Sequence, residues 1–270
     1  MDKPLENYLL VTDLDGTLYK NQNEIPKVNR DAVEKFVSLG GKFTVATGRG
    51  VNTSEFISQE FEFNCPIIVN GGHTFYDYNK DKAVRNVNLP ESAKEFVRAL
   101  MREFPDVGVE VYSDRKIFAL HINDVLINHL SYEKCGYIET DLDEIIDLDW
   151  QKVLFEDVED KIEKVRVFAR ANQPEDLKLM DTHRHFMEFS TTFTDKGTAI
   201  LDLADMLDIP HSNVCAIGNY YNDLEMIESA GIGCFVNDSP SDLKAIADYI
   251  TTKNCEDGAF AEFVDYIINM

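Results

Sequence analysis

Asp13 and Asp15 stand two residues apart, just after the apolar run Tyr8-Leu9-Leu10-Val11, in the segment Val11-Thr12-Asp13-Leu14-Asp15-Gly16-Thr17-Leu18. Two carboxylates crowded at one strand end repel each other. A cation, a proton or a strong donor relieves that repulsion. The pair therefore points to metal-assisted chemistry on a phosphate. Asp13 is the candidate nucleophile, because a carboxylate can accept a phosphoryl group as an acyl phosphate and split hydrolysis into two easier steps. Asp15 is the candidate general acid and base, protonating the leaving alcohol and then activating water. Gly16 permits a tight turn through which backbone amides approach phosphoryl oxygens. A plain Asp-Gly turn capping a helix is the competing reading, but it does not explain why both acids follow an apolar strand.

Three later segments supply matching chemistry. Thr47, in Thr47-Gly48-Arg49, can donate its hydroxyl to a phosphoryl oxygen. Arg49 can reach a substrate anion or only a neighbouring carboxylate. Lys196, in Thr194-Asp195-Lys196-Gly197, sits where a cation would neutralise charge building on a transferring group. Gly218-Asn219-Tyr220-Tyr221-Asn222-Asp223 follows the apolar run Val214-Cys215-Ala216-Ile217 and offers oxygen ligands, an amide at Asn222 and a carboxylate at Asp223. Magnesium favours oxygen ligands and suits that inventory.

The elements that must position these residues follow from periodicity. Residues 8–11, 42–46 and 66–69 read as strands. Helical spacing runs over 26–39 and 51–61, with a stop at Gly40-Gly41. Such βα repeats predict a parallel sheet with helices on both faces, binding ligand at the strand carboxyl ends. The rhythm then changes. Hairpins are expected at 74–87 and 107–121, helices at 91–104, 125–132 and 174–182, and strands at 152–155, 165–169 and 185–189. It returns at Asp195, with a helix over 197–207, a strand over 213–217, a helix from about residue 222, short strands at 234–236 and 249–251, and a helix from Ala259. The fold class is thus α/β: a Rossmann-like core from 1–85 and 187–270, with an inserted α+β cap over 86–186.

Composition bounds the function. The chain has 270 residues and a net charge of -23. That surface argues against nucleic acid as a partner, since phosphate backbones need Lys and Arg. There is no apolar run long enough for a membrane span. The start Met1-Asp2-Lys3-Pro4-Leu5-Glu6-Asn7 is wrong for a secretion signal. Five scattered cysteines without a Cys-x-x-Cys pair fit reduced thiols in the cytoplasm. His73 reads as a solvated loop residue, Trp150 as packed in the cap, and His183 and His185 as neighbours on one strand face. Oligomeric state is not legible.

Taken together, Asp13-Leu14-Asp15-Gly16-Thr17-Leu18, Thr47-Gly48-Arg49, Asn70-Gly71-Gly72, Lys196-Gly197, Asn222-Asp223 and Asn254-Cys255-Glu256-Asp257-Gly258-Ala259 resemble the haloacid dehalogenase superfamily. The match is closest to its Cof-type sugar-phosphate phosphatases with a large α/β cap, and over 86–186 it holds only in pattern. The resemblance implies that Asp13 attacks phosphorus, Asp15 shuttles the proton, and Thr47 and Lys196 hold phosphoryl oxygens. It places Gly16, Gly48, Arg49, Asn70, Gly71 and Asn222 around the substrate. It implies magnesium held by Asp13, the Asp15 carbonyl and residue 219, with Asp223 as a further ligand or as the group that orients Lys196 or a metal-bound water. One position departs from the pattern, since the family's usual Asp after Gly218 is Asn219 here. An amide oxygen still ligates magnesium but brings no charge. Either metal binding is weaker, or Asp223 moves in, or the protein is impaired.

The expected function is a magnesium-dependent phosphatase of small phosphorylated metabolites, with sugar phosphates foremost. Two alternatives stay open. One is a phosphometabolite-binding protein with little catalysis, motivated by Asn219. The other is a phosphomutase, which needs a second phosphate site that no basic cluster marks.

Overall fold

The structure is a computed structural model that describes residues 4–19 and 25–270. Residues 1–3 of the segment read against a secretion signal lie outside it. The chain forms two units. The first comprises Met1–Arg49, Glu55–Arg85 and Asp195–Met270, and the second comprises Gly50–Ser54 and Asn86–Thr194.

The first unit holds a parallel sheet in the order Tyr249–Ile250, Ile232–Phe235, Val214–Gly218, Leu9–Thr12, Lys42–Val45. Leu9–Thr12 and Val214–Gly218 are buried throughout. That is why they read as unbroken apolar runs: both faces of a parallel sheet are covered. Strand Ile67–Val69 joins the Lys42–Val45 edge through a parallel bridge between Ala46 and Ile68, then pairs antiparallel with Thr74–Asp77. Leu9 and Val11 pack with Ala199, Ile200, Leu203, Met226 and Ile227 from helices Lys196–Met206 and Leu224–Ser229. Toward the C-terminal helix Ala259–Ile268, Phe43 packs edge-on against Phe260, 6.0 Å between ring centres. From the central strand the chain winds outward to Lys42–Val45 and later returns to the opposite side. This reversal creates the switch point where open α/β sheets place their ligands.

The second unit is a six-stranded sheet in the order Leu177–His183, Phe186–Thr191, Lys152–Glu156, Gly108–Ser113, Lys116–Leu120, Ile138–Glu139. Its pairs are antiparallel except the last. One face buries Val109, Val153, Phe155 and Phe189 against helices Glu91–Glu103 and Glu159–Asn172, and Trp150 is buried in the same cluster. The other carries Tyr112, Ile117 and Ala119 under helix Asp124–Glu133. Asn52 joins this unit through reciprocal hydrogen bonds with Arg115.

Several expectations are corrected. Val165–Ala169 alternates like a strand but lies in helix Glu159–Asn172, because Ile162, Val165 and Ala169 bury one face at helical spacing while Val167 is 63% exposed. Residues 174–182, expected as a helix, contain strand Leu177–His183, which turns through Arg184-His185 and pairs with Phe186–Thr191. The stretch 51–61 is two short helices, Val51–Ser54 and Ile57–Glu60. His73 is buried rather than solvated. The chain re-enters the first unit at Asp195, not near 187, since Phe186–Thr191 pairs within the second unit.

Candidate active site

Four chain segments bring the candidate residues to the carboxyl ends of the parallel strands. Asp13 leaves strand Leu9–Thr12 with its amide donating to the Ile217 carbonyl at 3.0 Å, which ties it to the strand that ends before Asn219. Ala46 donates to the Thr12 carbonyl at 2.9 Å, so Thr47 emerges beside the Asp13 loop. Gly16 has φ +87, and a Cβ there would lie 2.3 Å from Asn219 Nδ2. Only glycine lets those two loops meet in this conformation.

Lys196 opens helix Lys196–Met206, whose N-cap Asp195 and Thr198 form a reciprocal capping box. Gly197 lets that helix press against the next one. A Cβ on it would lie 2.3 Å from the Glu225 carbonyl oxygen. The result is a buried bridge: Lys196 Nζ donates to Asp13 Oδ1 and to Asp223 Oδ1, each at 2.6 Å. Asp223 Oδ2 accepts from the amides of Asn219 at 2.9 Å and Tyr220 at 3.3 Å. Gly218 makes room for this fold, since a Cβ there would lie 2.5 Å from that of Asp223. Asp223 Oδ1 thus faces Lys196 and Oδ2 faces the loop amides, contacts that fit the orienting reading.

The electrostatics follow from burial. Burial opposes charge on Lys196, but Asp13 and Asp223 outweigh it and raise its pKa. Burial pushes the Asp13 carboxyl up to about 7, with Asp223 adding and Lys196 opposing. A cation beside Asp13 would favour its ionised form. The donors available are oxygens. Thr17 Oγ1 lies 3.4 Å from Asp13 Oδ2 and 3.3 Å from Asn219 Oδ1, so both oxygens gather around one hydroxyl. This donor set fits magnesium.

Arg49 resolves its two readings toward a carboxylate. Its Nε and Nη2 donate to the two oxygens of Asp15, each at 2.8 Å, and Tyr19 donates to Asp15 Oδ1 at 3.1 Å. The guanidinium is buried while Asp15 is 44% exposed. Thr47 is buried, and its hydroxyl accepts the Arg49 amide at 3.1 Å. Asn70 and Gly71 shape the adjoining turn with φ of 52 and 65. Their amides donate to the carbonyls of Arg49 and Thr47. The Asn70 side chain donates to Thr74 at 3.3 Å, so its contact is with the turn. Gly48 is half-buried between Thr47 and Arg49. Asn222 is exposed on the turn Tyr221–Asp223 and makes no side-chain hydrogen bond among the described residues.

Sequence reasoning missed Thr17 and Tyr19. Tyr19 is four residues beyond Asp15, and the Gly16 amide closes the turn onto its carbonyl at 2.8 Å. That Asp-Gly-x-x-Tyr closure was the available signal.

A family pattern for haloacid dehalogenase-like hydrolases matches residues 10–263. A Bacillus subtilis protein named 5-amino-6-(5-phospho-D-ribitylamino)uracil phosphatase YitU is 25% identical, covering 96% of this chain and 97% of its own. A haloacid dehalogenase-like hydrolase from Bacteroides thetaiotaomicron superposes with a TM-score of 0.87 at 24% identity, over 96% of this chain and 99% of the other. The subclass IIB sugar phosphatase BT4131 superposes at 0.81 and 17% identity, over 97% and 100%. These names give no support to a mere phosphometabolite-binding protein. The chain belongs to the haloacid dehalogenase-like hydrolase family, in a part of it where curated relatives are named phosphatases.

Proposed function

We propose that this hydrolase is a magnesium-dependent phosphatase of small phosphorylated metabolites, sugar phosphates foremost, working through an aspartyl-phosphate on Asp13. The observation that carries this reading is the buried ammonium of Lys196 at 2.6 Å from both Asp13 and Asp223. A carboxylate so held is positioned as a nucleophile. The same ammonium is available to charge developing on a transferring phosphoryl group.

An oxygen of Asp13 attacks phosphorus, and the bond from phosphorus to the ester oxygen breaks. Asp15 gives its proton to the departing alkoxide. Asp15 then takes a proton from water as that water attacks the acyl phosphate, which releases phosphate and restores Asp13. To do so Asp15 releases one oxygen from Arg49 to carry the proton, while the guanidinium keeps hold of the other. Thr47 and Lys196 hold phosphoryl oxygens. Asp13 Oδ2, the Asp15 carbonyl and Asn219 Oδ1 would hold magnesium, which when bound offsets phosphate charge as a Lewis acid. We assign the choice of leaving group to the inserted second unit.

The test is phosphate release from a panel of phosphorylated metabolites with magnesium, repeated with Asp13→Asn. Loss of a nucleophile is expected to cut turnover by at least ~10³-fold. Undiminished turnover in a folded variant would discard the mechanism.

A further inference from the structure

The second unit contains a buried polar cluster that the hydrolytic chemistry does not use. Glu110 lies on strand Gly108–Ser113, Glu156 on strand Lys152–Glu156, and His129 on helix Asp124–Glu133 above the same sheet face. One ligand atom from each of the three lies within 4.8 Å of the others. His129 Nδ1 is 3.2 Å from Glu110 Oε1 and 2.7 Å from Glu156 Oε1. Glu110 and Glu156 are fully buried, while the His129 side chain is 12% exposed.

The partners are unequal. Glu110 Oε2 accepts from the Tyr112 hydroxyl at 2.8 Å. Neither oxygen of Glu156 has an aligned hydrogen bond, although His129 stands in ion-pair range of one of them. Lys152 pairs with Glu188 at 3.3 Å. A fully buried carboxylate without aligned donors is costly. Burial opposes charge on His129, but Glu110, Glu133 and Glu156 outweigh it and raise its pKa, so a cation bound at Nδ1 would displace the imidazole proton. The imidazole is also arranged as a ligand. Its Nδ1 faces the two buried carboxylates, and its Nε2 lies 3.6 Å from Glu133 Oε1. A carboxylate behind the outer nitrogen is how metal-bound histidines are commonly oriented.

We propose that Glu110, His129 and Glu156 form a binding site for a divalent transition-metal cation, distinct from the magnesium position at Asp13. One imidazole nitrogen and two carboxylates suit zinc with three protein ligands. Glu133 is the residue that orients His129, and Tyr112 fixes Glu110. The three ligands come from two strands and a helix, so an ion there would tie helix Asp124–Glu133 to the sheet.

Zinc is the probe, and calorimetry with chelator-stripped protein is the measurement. Asp13→Asn serves as the background, so that binding at the hydrolytic centre does not intrude. One equivalent is expected to bind. Adding Glu156→Gln or His129→Gln should weaken it at least ~10-fold, about 1.4 kcal/mol, while Cys135→Ser, at the thiol packed against Tyr112 and Leu130 beside the cluster, should not. His129, on the helix rather than in the sheet and 12% exposed, keeps the test valid should Glu156→Gln fail to fold. Failure of the Asp13→Asn background to bind zinc, or unchanged affinity in a folded His129→Gln protein, overturns the site. So does loss of binding in Cys135→Ser alone. None of these outcomes bears on phosphate release.

Discussion

Single residues decide the chemistry through their partners. Lys196 is useful because two carboxylates outweigh the burial of its charge. Lys196→Met keeps much of the bulk but leaves Asp13 and Asp223 facing each other without a cation. Activity is expected to fall by ~10²–10³-fold, the scale of losing one electrostatic donor, with the drop read in kcat. Arg49 acts on Asp15 through a two-pronged contact that lysine cannot reproduce. Arg49→Lys is expected to lower kcat by ~10–100-fold through misplacement of Asp15. An unchanged kcat would show that the fork is only structural. Asn219 is the neutral member of the proposed magnesium set. Asn219→Asp adds one ionised oxygen beside Asp13 Oδ2, and the gain of a charge-assisted contact, about 1.5–3 kcal/mol, should lower the magnesium concentration for half-maximal turnover at least ~10-fold. A titration of activity against magnesium checks this, and an unchanged midpoint would place residue 219 away from the ion.

Elements bring those residues together by close backbone approach. Helices Lys196–Met206 and Leu224–Ser229 touch at Gly197, where a Cβ would sit 2.3 Å from the Glu225 carbonyl oxygen. Gly197→Ala forces those helices apart at the point where Lys196 meets Asp223. A destabilisation of ~1–3 kcal/mol is expected from overpacking of this kind, and urea unfolding would measure it. Activity should fall further than stability alone explains. The glycines after strands and the acids at strand ends were legible in sequence, because each is a local signal. Helix Glu159–Asn172 and strand Leu177–His183 were not. Val165-Arg166-Val167 alternates over a few residues, and only the sheet beneath reveals that Ile162, Val165 and Ala169 form the buried stripe.

At the scale of the whole molecule, a net charge of -23 is carried by 49 acidic and 26 basic side chains. Self-repulsion destabilises a compact state and salt screens it. The thermal midpoint should therefore rise as sodium chloride is raised from low to physiological strength, and a flat or falling midpoint would contradict this. Among the described residues, no helix is long and apolar enough to cross a membrane. The order of motifs along the chain, the alternation of strand and helix in the first unit, and the type of chemistry were determined by sequence alone. Spacing, apolar runs and turn residues act over a few positions and need no distant partner. Tertiary structure alone decided that Arg49 grips Asp15, that Lys196 spans Asp13 and Asp223, and that Glu156 meets His129. Those pairings join positions far apart in the chain, and their strength comes from removal of water, which exists only once the elements have packed.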